Sequence, residues 1–262
     1  MANKKTNKDW HIFKGQGKST TKINFPSAPP WRKNKRKIAN KYILDEDSEE
    51  LDIINASLYL KRPILITGNP GIGKSSLAYA IAEELGLDEV LKWEITTKTT
   101  LKDGLYSYDA IGRLQDVSLQ SKKDKKKVKI KIEDYLFLGA LGYAFDNPKK
   151  KGSKPKVLLI DEIDKSDIDL PNDLLHIFED MEFSIPELER EDKKGEGIEI
   201  FPIHKRDKAS KIKKGKVICH PDNFPIILMT SNDEREFPPA FLRRCLRLDI
   251  NCLLYTSPSP RD

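Results

Sequence analysis

The stretch Leu65-Ile66-Thr67-Gly68-Asn69-Pro70-Gly71-Ile72-Gly73-Lys74-Ser75-Ser76 decides the fold of this chain. It passes from a short apolar run, through a glycine-rich segment, into apolar residues that repeat at helical spacing. The spacing of Gly68, Gly73, Lys74 and Ser75 fits the phosphate-binding pattern G-x-x-x-x-G-K-[ST]. The stretch therefore predicts a buried strand, a phosphate-binding loop and a helix.

The residue types in this loop suit a nucleoside triphosphate with Mg²⁺. Glycines allow backbone N–H groups to converge on phosphate oxygens, and the helix that follows points its unpaired N–H groups at the same oxygens. Lys74 is predicted to contact the β- and γ-phosphates, and the Ser75 hydroxyl to hold Mg²⁺. The predicted nucleotide-binding residues are Gly68, Asn69, Pro70, Gly71, Ile72, Gly73, Lys74, Ser75 and Ser76.

Composition restricts the class of protein. The 262 residues are 38% hydrophobic and 34% charged, enough for one large α/β domain or two small ones. No apolar run approaches membrane-spanning length, and the lysine-rich start lacks the apolar core of a secretory signal. Three cysteines at spacings atypical of metal sites favour reduced thiols, although Cys219-His220 could contribute to a metal site. We expect a cytoplasmic protein without membrane partners.

Charge divides the chain into a basic arm and a more acidic body. Residues 1–41 hold twelve Lys and Arg and one acidic residue, Asp9, whereas the rest holds 35 basic and 40 acidic residues. The arm is predicted to be disordered, either as a solubilising tail or as a contact for nucleic acid or an acidic partner. A second lysine run, at 121–131, is predicted to be an exposed loop with the same two interpretations.

A pair of carboxylates follows a second buried strand. The run Val157-Leu158-Leu159-Ile160 is entirely apolar, and Asp161-Glu162 comes directly after it. In α/β sheets the carboxyl ends of the strands present ligand-binding groups. Asp161 is predicted to orient Mg²⁺ through water, and Glu162 to polarise the attacking water.

Two further segments complete the predicted catalytic set. Asn232 follows the buried run at 225–230 and is predicted to contact the γ-phosphate or position the water. Arg243 and Arg244 lie in a predicted short helix, where each is either a surface residue or a cation that reaches the γ-phosphate of a neighbouring subunit.

The remaining pattern predicts strands separated by helices, and hence a mostly parallel, helix-covered sheet. A helix is predicted from Asp47 to Leu60, capped by Asp47 or Ser48. Residues 101–114 predict a short helix or hairpin, 132–145 a helix and 182–219 a β-hairpin insertion. Tyr106 and Tyr108 either face a central pore or pack within the insertion. Strands are predicted at 63–67, 90–95, 157–160, 225–230 and 246–250.

In this order the motifs resemble those of the AAA+ ATPases, and most closely the MoxR-like branch. The resemblance depends on residues 69–75 (NPGIGKS), 161–165 (DEIDK) and 238–244 (PPAFLRR), and it covers about residues 45–250. It implies a P-loop α/β fold with a five-stranded parallel sheet between helices. It also implies a helical insertion before the Asp161 strand and a β-hairpin before the Asn232 strand.

The resemblance also implies a function. Similar proteins bind and hydrolyse ATP with Mg²⁺, assemble into rings that are usually hexameric, and remodel protein partners. Their site lies between subunits and receives an arginine finger from the neighbour. Arg244 matches the position of that finger better than Arg243, although the adjacent arginines leave both open.

The chain departs from the family after its fifth predicted strand. AAA+ proteins resemble one another in a small helical lid domain that follows this strand. Residues 252–262 of this chain instead resemble a translated sequencing-adapter tail. We therefore expect a truncated reading frame with three parts. These are a basic arm at 1–41, an AAA+ large domain at 42–251 and a non-native tail at 252–262.

Two other functions compete with an ATP-hydrolysing remodeller. A nucleic-acid-acting motor or restriction-type NTPase subunit would use the basic arm. The other is a nucleotide-gated scaffold that does not hydrolyse ATP. Such a scaffold does not need a carboxylate at position 162, so the presence of Glu162 argues against it.

Overall fold

The fold is taken from a computed structural model that describes residues 48–123, 130–148, 153–204 and 209–250. Three of the predictions fall wholly or mostly outside these ranges. They concern the basic arm at 1–41, the centre of the lysine run at 124–129 and the tail at 252–262.

The described residues alternate between helices and strands. The helices are α1 (Glu49–Leu60), α2 (Ser76–Glu84), α3 (Leu101–Leu105), α4 (Ala110–Lys123), α5 (Ala140–Phe145), α6 (Leu170–Asp180), α7 (Pro186–Glu191) and α8 (Pro239–Leu242). The strands are β1 (Ile64–Thr67), β2 (Leu91–Glu94), β3 (Tyr106–Tyr108), β4 (Leu136–Leu138), β5 (Val157–Asp161), β6 (Glu182–Ser184), β7 (Ile198–Pro202), β8 (Ser210–Ile212), β9 (Lys216–Ile218), β10 (Ile226–Thr230) and β11 (Leu246–Asp249).

Five parallel strands form the main sheet in the order β11-β1-β10-β5-β2. This confirms the predicted five-stranded parallel sheet. Its central strands β1, β5 and β10 are buried along almost their whole length, because helices cover both faces of a parallel sheet. Ser48 caps α1 as predicted, since its hydroxyl accepts a hydrogen bond from the Leu51 amide.

Alternate residues of each central strand enter different cores. Ile64 and Ile66 of β1 pack with α1 and α2, whereas Leu65 between them packs on the opposite face with α5 and α6. Val157 and Leu158 of β5 divide in the same way. The period of two fixes the register of each strand, since a slip by one residue would exchange the two faces.

The two insertions meet in a second sheet, which we call the insertion sheet, with strand order β3-β4-β7-β8. The first insertion contributes the antiparallel pair β3–β4, and the second contributes the antiparallel pair β7–β8. A parallel pairing of β4 with β7 joins them, with Phe137 opposite Phe201. The predicted helical and hairpin insertions are confirmed, but their union in one sheet was not predicted.

The predicted helix at 132–145 is wrong in its first half. A 3₁₀ turn at Ile132–Asp134 leads into strand β4, and only Ala140–Phe145 is helical. A short apolar run such as Leu136 to Leu138 fits a helix or a strand equally well by periodicity. Pairing with β3 and β7 decides for the strand, and this contact is invisible in the local sequence.

Tyr106 packs inside the insertion, as the second of its two interpretations predicted. Its side chain is buried, and its hydroxyl donates a hydrogen bond of 2.9 Å to Glu187 on α7. Tyr108 is half-buried, and its hydroxyl accepts a hydrogen bond from Arg113. The two tyrosines therefore stabilise the insertion.

Helix α5 approaches the end of α3 at a glycine. A Cβ added to Gly142 would lie 1.9 Å from the Leu105 carbonyl oxygen, and the same carbonyl accepts a hydrogen bond from Gly139. Backbone lies against backbone here, so a rotamer change cannot relieve the clash. The contact fixes α5 against α3, the two helices that flank β3, α4 and β4 in the chain.

We therefore predict that Gly142→Ala lowers the free energy of unfolding by about 3 kcal/mol, because the added methyl group must displace the backbone. Gly86→Ala is the reference: Gly86 has a left-handed φ of 57°, but the nearest atom to an added Cβ is Lys154 Nζ at 4.0 Å, so this variant should lose only about 1 kcal/mol. Urea unfolding of both variants measures the difference. Equal losses would show that the α3–α5 contact can relax.

Candidate nucleotide-binding site

The predicted site residues other than the two arginines lie at one edge of the main sheet. The loop at 68–75 follows β1, Asp161 ends β5, and Asn232 follows β10. These strands are neighbours in the order β1-β10-β5, and all are parallel. Their carboxyl ends therefore meet, which is where open α/β sheets bind ligands.

The phosphate-binding loop depends on left-handed glycines. Gly68, Gly71 and Gly73 have φ angles of 137°, 84° and 96°, which other residues rarely adopt. A Cβ at Gly68 would also lie 2.4 Å from the Ile250 carbonyl oxygen, so the loop packs closely on the end of β11. The loop then enters α2, whose first residue is Ser76.

Lys74 is buried and uses its ammonium group on three oxygens. Its Nζ donates to the Gly68 carbonyl at 2.6 Å, the Asn69 carbonyl at 3.0 Å and Asn232 Oδ1 at 2.7 Å. Burial lowers the pKa of Lys74, while the nearby carboxylates, led by Asp164, oppose that shift. Lys74 thus links the loop to the end of β10.

Asp161 is the carboxylate that joins the loop to the sheet. Its Oδ1 accepts hydrogen bonds from Ser75 Oγ at 2.6 Å and Thr230 Oγ1 at 2.7 Å. Its Oδ2 lies 2.8 Å from the Lys92 ammonium on β2. The Ser75 hydroxyl gives its proton to Asp161, so the lone pairs of its oxygen remain available to a cation.

The environment of Asp161 favours the ionised carboxylate. Burial raises its pKa, but hydrogen bonds from Lys92, Ser75 and Thr230 together outweigh burial and hold the pKa below its usual value. Burial alone would lower the pKa of Lys92, and its contacts with Asp161 and Glu94 raise it instead. Both groups are therefore charged at neutral pH.

Glu162 follows Asp161 in a left-handed conformation, with φ 61° and ψ 50°. Its amide donates to Thr230 Oγ1 at 2.9 Å, so Thr230 fixes both residues of the predicted carboxylate pair. The Glu162 side chain forms an exposed ion pair of 2.7 Å with Lys165. Exposed pairs are worth little, so this carboxylate can exchange its partner for a water molecule at small cost.

Asp164 holds the segment that carries Asn232. Its buried Oδ2 accepts hydrogen bonds from the Asn232 amide at 2.7 Å and the Glu234 amide at 3.4 Å. Its Oδ1 is buried without a hydrogen-bond partner among the described residues. A chain of contacts therefore runs from Asp164 through Asn232 to Lys74.

The structure does not join the two arginines to this cluster. The Arg244 guanidinium contacts Glu179 on α6 and the Ala240 carbonyl, and Arg243 contacts the Pro239 carbonyl. Both side chains are exposed. Arg62, just before β1, donates to the Arg243 carbonyl at 2.7 Å and fixes the end of α8. Their predicted role stays a prediction.

The donor set fits Mg²⁺. Across the described ranges, no group of three or more His, Cys, Asp or Glu residues could hold a metal ion by itself. Mg²⁺ is usually bound through one or two protein oxygens, with phosphate oxygens and water completing its octahedron. Ser75 and Asp161 supply such hard oxygens beside the loop.

Four residues of the site were assigned no role from the sequence: Lys92, Thr230, Asp164 and Lys165. The available signal for Lys92 was a lysine that lies between the buried residues Leu91 and Trp93 of β2. The other three lie within or beside the recognised motifs. Thr230 and Asp164 find their partners in segments distant in sequence, whereas Lys165 pairs with Glu162 three residues before it.

The two cysteines within the described ranges agree with the predicted reduced state. Cys219 and Cys245 are buried free thiols, and burial raises their pKa values to about 11 and about 12. Such thiols are protonated at neutral pH and react slowly.

The family model for the AAA domain (dynein-related subfamily) matches residues 63–245. The chain belongs to this subfamily of the AAA+ ATPases. The match runs from the residue before β1 to the residue after Arg244, so it includes every predicted site residue. The predicted AAA+ membership is thereby confirmed. No curated protein matches the chain.

Solved structures of similar fold have low sequence identity to this AAA+ protein. A candidate ATPase from Cytophaga hutchinsonii is 13% identical, with a TM-score of 0.44, over 84% of this chain and 50% of its own. C. elegans PCH-2 is 17% identical, with a TM-score of 0.38, over 83% and 46%. The Thermotoga maritima RuvB Holliday junction branch migration motor is 13% identical, with a TM-score of 0.31, over 82% and 44%. The chain spans about half the length of these proteins or less.

Asp164 provides a test of the contact chain. We predict that Asp164→Ala lowers stability by about 2 kcal/mol, because it leaves two part-buried backbone amides without their acceptor. ATP affinity should fall about tenfold as the Asn232 segment loosens. Asp164→Asn keeps an acceptor oxygen and should lose less than half as much in both measurements, by urea unfolding and calorimetric titration. Equal losses in the two variants would contradict this account.

Lys92 provides a test that depends on pH. The lowered pKa of Asp161 contributes stability above its unfolded value near 3.8, and this contribution is lost as pH falls through the folded pKa. Lys92→Met removes the hydrogen bond and the positive charge of Lys92, both of which lower the pKa of Asp161, so this pKa should be higher in the variant. The stability deficit of Lys92→Met should therefore grow from pH 4 to pH 7, reaching about 2 kcal/mol in urea titrations. A deficit independent of pH would show that Lys92 acts by packing alone.

Proposed function

We infer that this AAA+ protein binds ATP with Mg²⁺ and hydrolyses it to ADP and phosphate. The observation that carries the proposal is the convergence of Lys74, Ser75, Asp161 and Asn232 through direct hydrogen bonds at one sheet edge. Glu162 lies beside them with its backbone fixed and its carboxylate only loosely paired. When bound, Mg²⁺ supplies charge neutralisation to the β- and γ-phosphates.

Each residue then has a role set by its position. Lys74 supplies a positive charge from a buried site, where electrostatic interactions are stronger than in water. Glu162 accepts a proton from the water that attacks the γ-phosphorus, while the bond from that phosphorus to the ADP oxygen breaks. Asp164 holds the backbone of Asn232. The side-chain amide of Asn232 then orients the water or the γ-phosphate.

Assembly and substrate follow from the resemblance. We infer a MoxR-like ring, of the hexameric type, in which Arg244 of one subunit reaches the ATP of the next, with Arg243 as the alternative finger. The exposure of both arginines at the end of the short helix α8 supports this role. The proposed activity of the ring is the remodelling of protein partners in the cytoplasm. Within the described ranges, every helix is too short or too polar to cross a membrane.

A second candidate is a nucleic-acid-acting motor or restriction-type NTPase subunit. The charge pattern favours it, because residues 1–41 carry an excess of eleven positive charges. Such an arm binds phosphates through an interaction that weakens steeply with salt.

The experiment measures ATP turnover per subunit against protein concentration for the full-length gene product. We expect a steep rise with concentration, because each site needs an arginine from another subunit. Lys74→Ala, Glu162→Gln and Arg244→Ala should each lower turnover at least a hundredfold. Arg247→Ala, which changes an exposed arginine on β11, should leave it unchanged. Turnover that is independent of concentration and survives Arg244→Ala would remove the shared site.

Mixed subunits separate the two halves of the proposal. A mixture of Lys74→Ala and Arg244→Ala subunits should recover part of the turnover, because some interfaces combine an intact loop with an intact finger. No recovery, together with full activity of Arg243→Ala, would contradict an arginine finger supplied in trans.

A further inference from the structure

Two stretches of the chain after residue 41 are rich in lysine, and the proposed ATP hydrolysis uses neither of them. Residues 122–131 and 204–216 together hold fourteen Lys and Arg against two Asp, an excess of twelve positive charges. The rest of the chain after residue 41 then has an excess of seventeen negative charges. Positive charge is therefore concentrated in these two stretches, and negative charge predominates in the rest.

The insertion sheet brings the two stretches together. The first ends at Lys131, directly before the 3₁₀ turn Ile132–Asp134 that packs against β7. The second stretch contains β8. Strand β8 pairs with the edge of β7 that does not face β4, and this pairing places Lys211 opposite Glu199. Lys131 also interacts electrostatically with Glu199, so both stretches reach the same end of β7.

A two-residue hairpin turn projects further lysines. Lys214 and Gly215 have left-handed φ angles of 51° and 67°, as a type I′ turn requires, and Lys213 bridges to Lys216 across it. We define the basic edge as five exposed lysines of the described residues. They are Lys131, Lys211, Lys213, Lys214 and Lys216.

Acidic neighbours offset only part of this charge. Lys131 pairs with Glu133 at 2.8 Å and Lys216 with Glu182 at 3.2 Å. Lys213 and Lys214 have no ion pair with any described residue. The flanking sequence at 122–129 and 205–208 adds nine Lys and Arg.

We propose that the basic edge binds the phosphate backbone of a nucleic acid without reading its sequence. Lysine is a flexible point charge, suited to repeated phosphates. Protein interfaces have a core rich in aromatic and other apolar side chains, whereas the two stretches contain no aromatic residue. The inference concerns a surface apart from the nucleotide site, so it does not depend on ATP hydrolysis.

The test is fluorescence anisotropy with a labelled 30-nucleotide probe of mixed sequence, as single-stranded DNA, duplex DNA and RNA, without ATP or Mg²⁺. The test variant combines Lys131→Gln, Lys211→Gln and Lys213→Gln. The control combines Lys98→Gln, Lys154→Gln and Arg247→Gln, which removes the same charge from exposed positions elsewhere. Both keep residues 1–41, so the contribution of the arm cancels.

We expect the test variant to bind about tenfold or more weakly at 100 mM salt. Its slope of log affinity against log salt should fall in magnitude by about 2 to 3, since each lost phosphate contact removes 0.7 to 0.9. The control should match the unchanged protein in affinity, slope and melting temperature. The probe whose affinity falls most in the test variant identifies the class of nucleic acid that the basic edge binds.

Two results would overturn the proposal. One is no difference between the two triple variants, which includes an absence of binding by the unchanged protein at 50 mM salt. The other is displacement of the probe by polyglutamate as effectively as by unlabelled nucleic acid at equal charge, which would assign the edge to an acidic protein.

Discussion

A largely desolvated carboxylate at the end of a central strand must find donors, and much of this structure is arranged around that requirement. Asp161 receives hydrogen bonds from Ser75 on the loop, Thr230 on β10 and Lys92 on β2. An isolated buried carboxylate would instead be driven to protonate. Three donors from three segments keep it charged, and in doing so they hold the phosphate-binding loop against the main sheet.

The same principle extends to the neighbouring groups. Lys74 is a buried cation, and its ammonium group donates hydrogen bonds to two loop carbonyls and to the side chain of Asn232. Asp164 in turn accepts a hydrogen bond from the backbone amide of Asn232. Buried polar groups are costly unless every partner is present, so these contacts act as one network. The network places two hard oxygens and an ammonium group at the edge where the family match predicts a nucleotide.

The sequence predicted the parts of the structure that depend on local pattern. Continuous apolar runs predicted β1, β5 and β10, and glycine spacing predicted the loop after β1. It failed where distant segments decide. The run at 136–138 became a strand because β3 and β7 flank it, and the role of Lys92 depends on a carboxylate on the adjacent strand. In the proposed ring, Arg243 and Arg244 would reach the ATP of a second subunit, so their positions relative to that ATP cannot be read from one chain.

The most direct measurement of the central claim is the affinity of ATP with and without Mg²⁺, by calorimetry, for the unchanged protein, Lys74→Ala and Asp161→Asn. We predict that Lys74→Ala weakens ATP binding at least tenfold whether or not Mg²⁺ is present. We also predict that Asp161→Asn removes most of the gain in affinity that Mg²⁺ provides. Unaltered ATP affinity in Lys74→Ala, or an unaltered Mg²⁺ effect in Asp161→Asn, would mean that this sheet edge is not the nucleotide site.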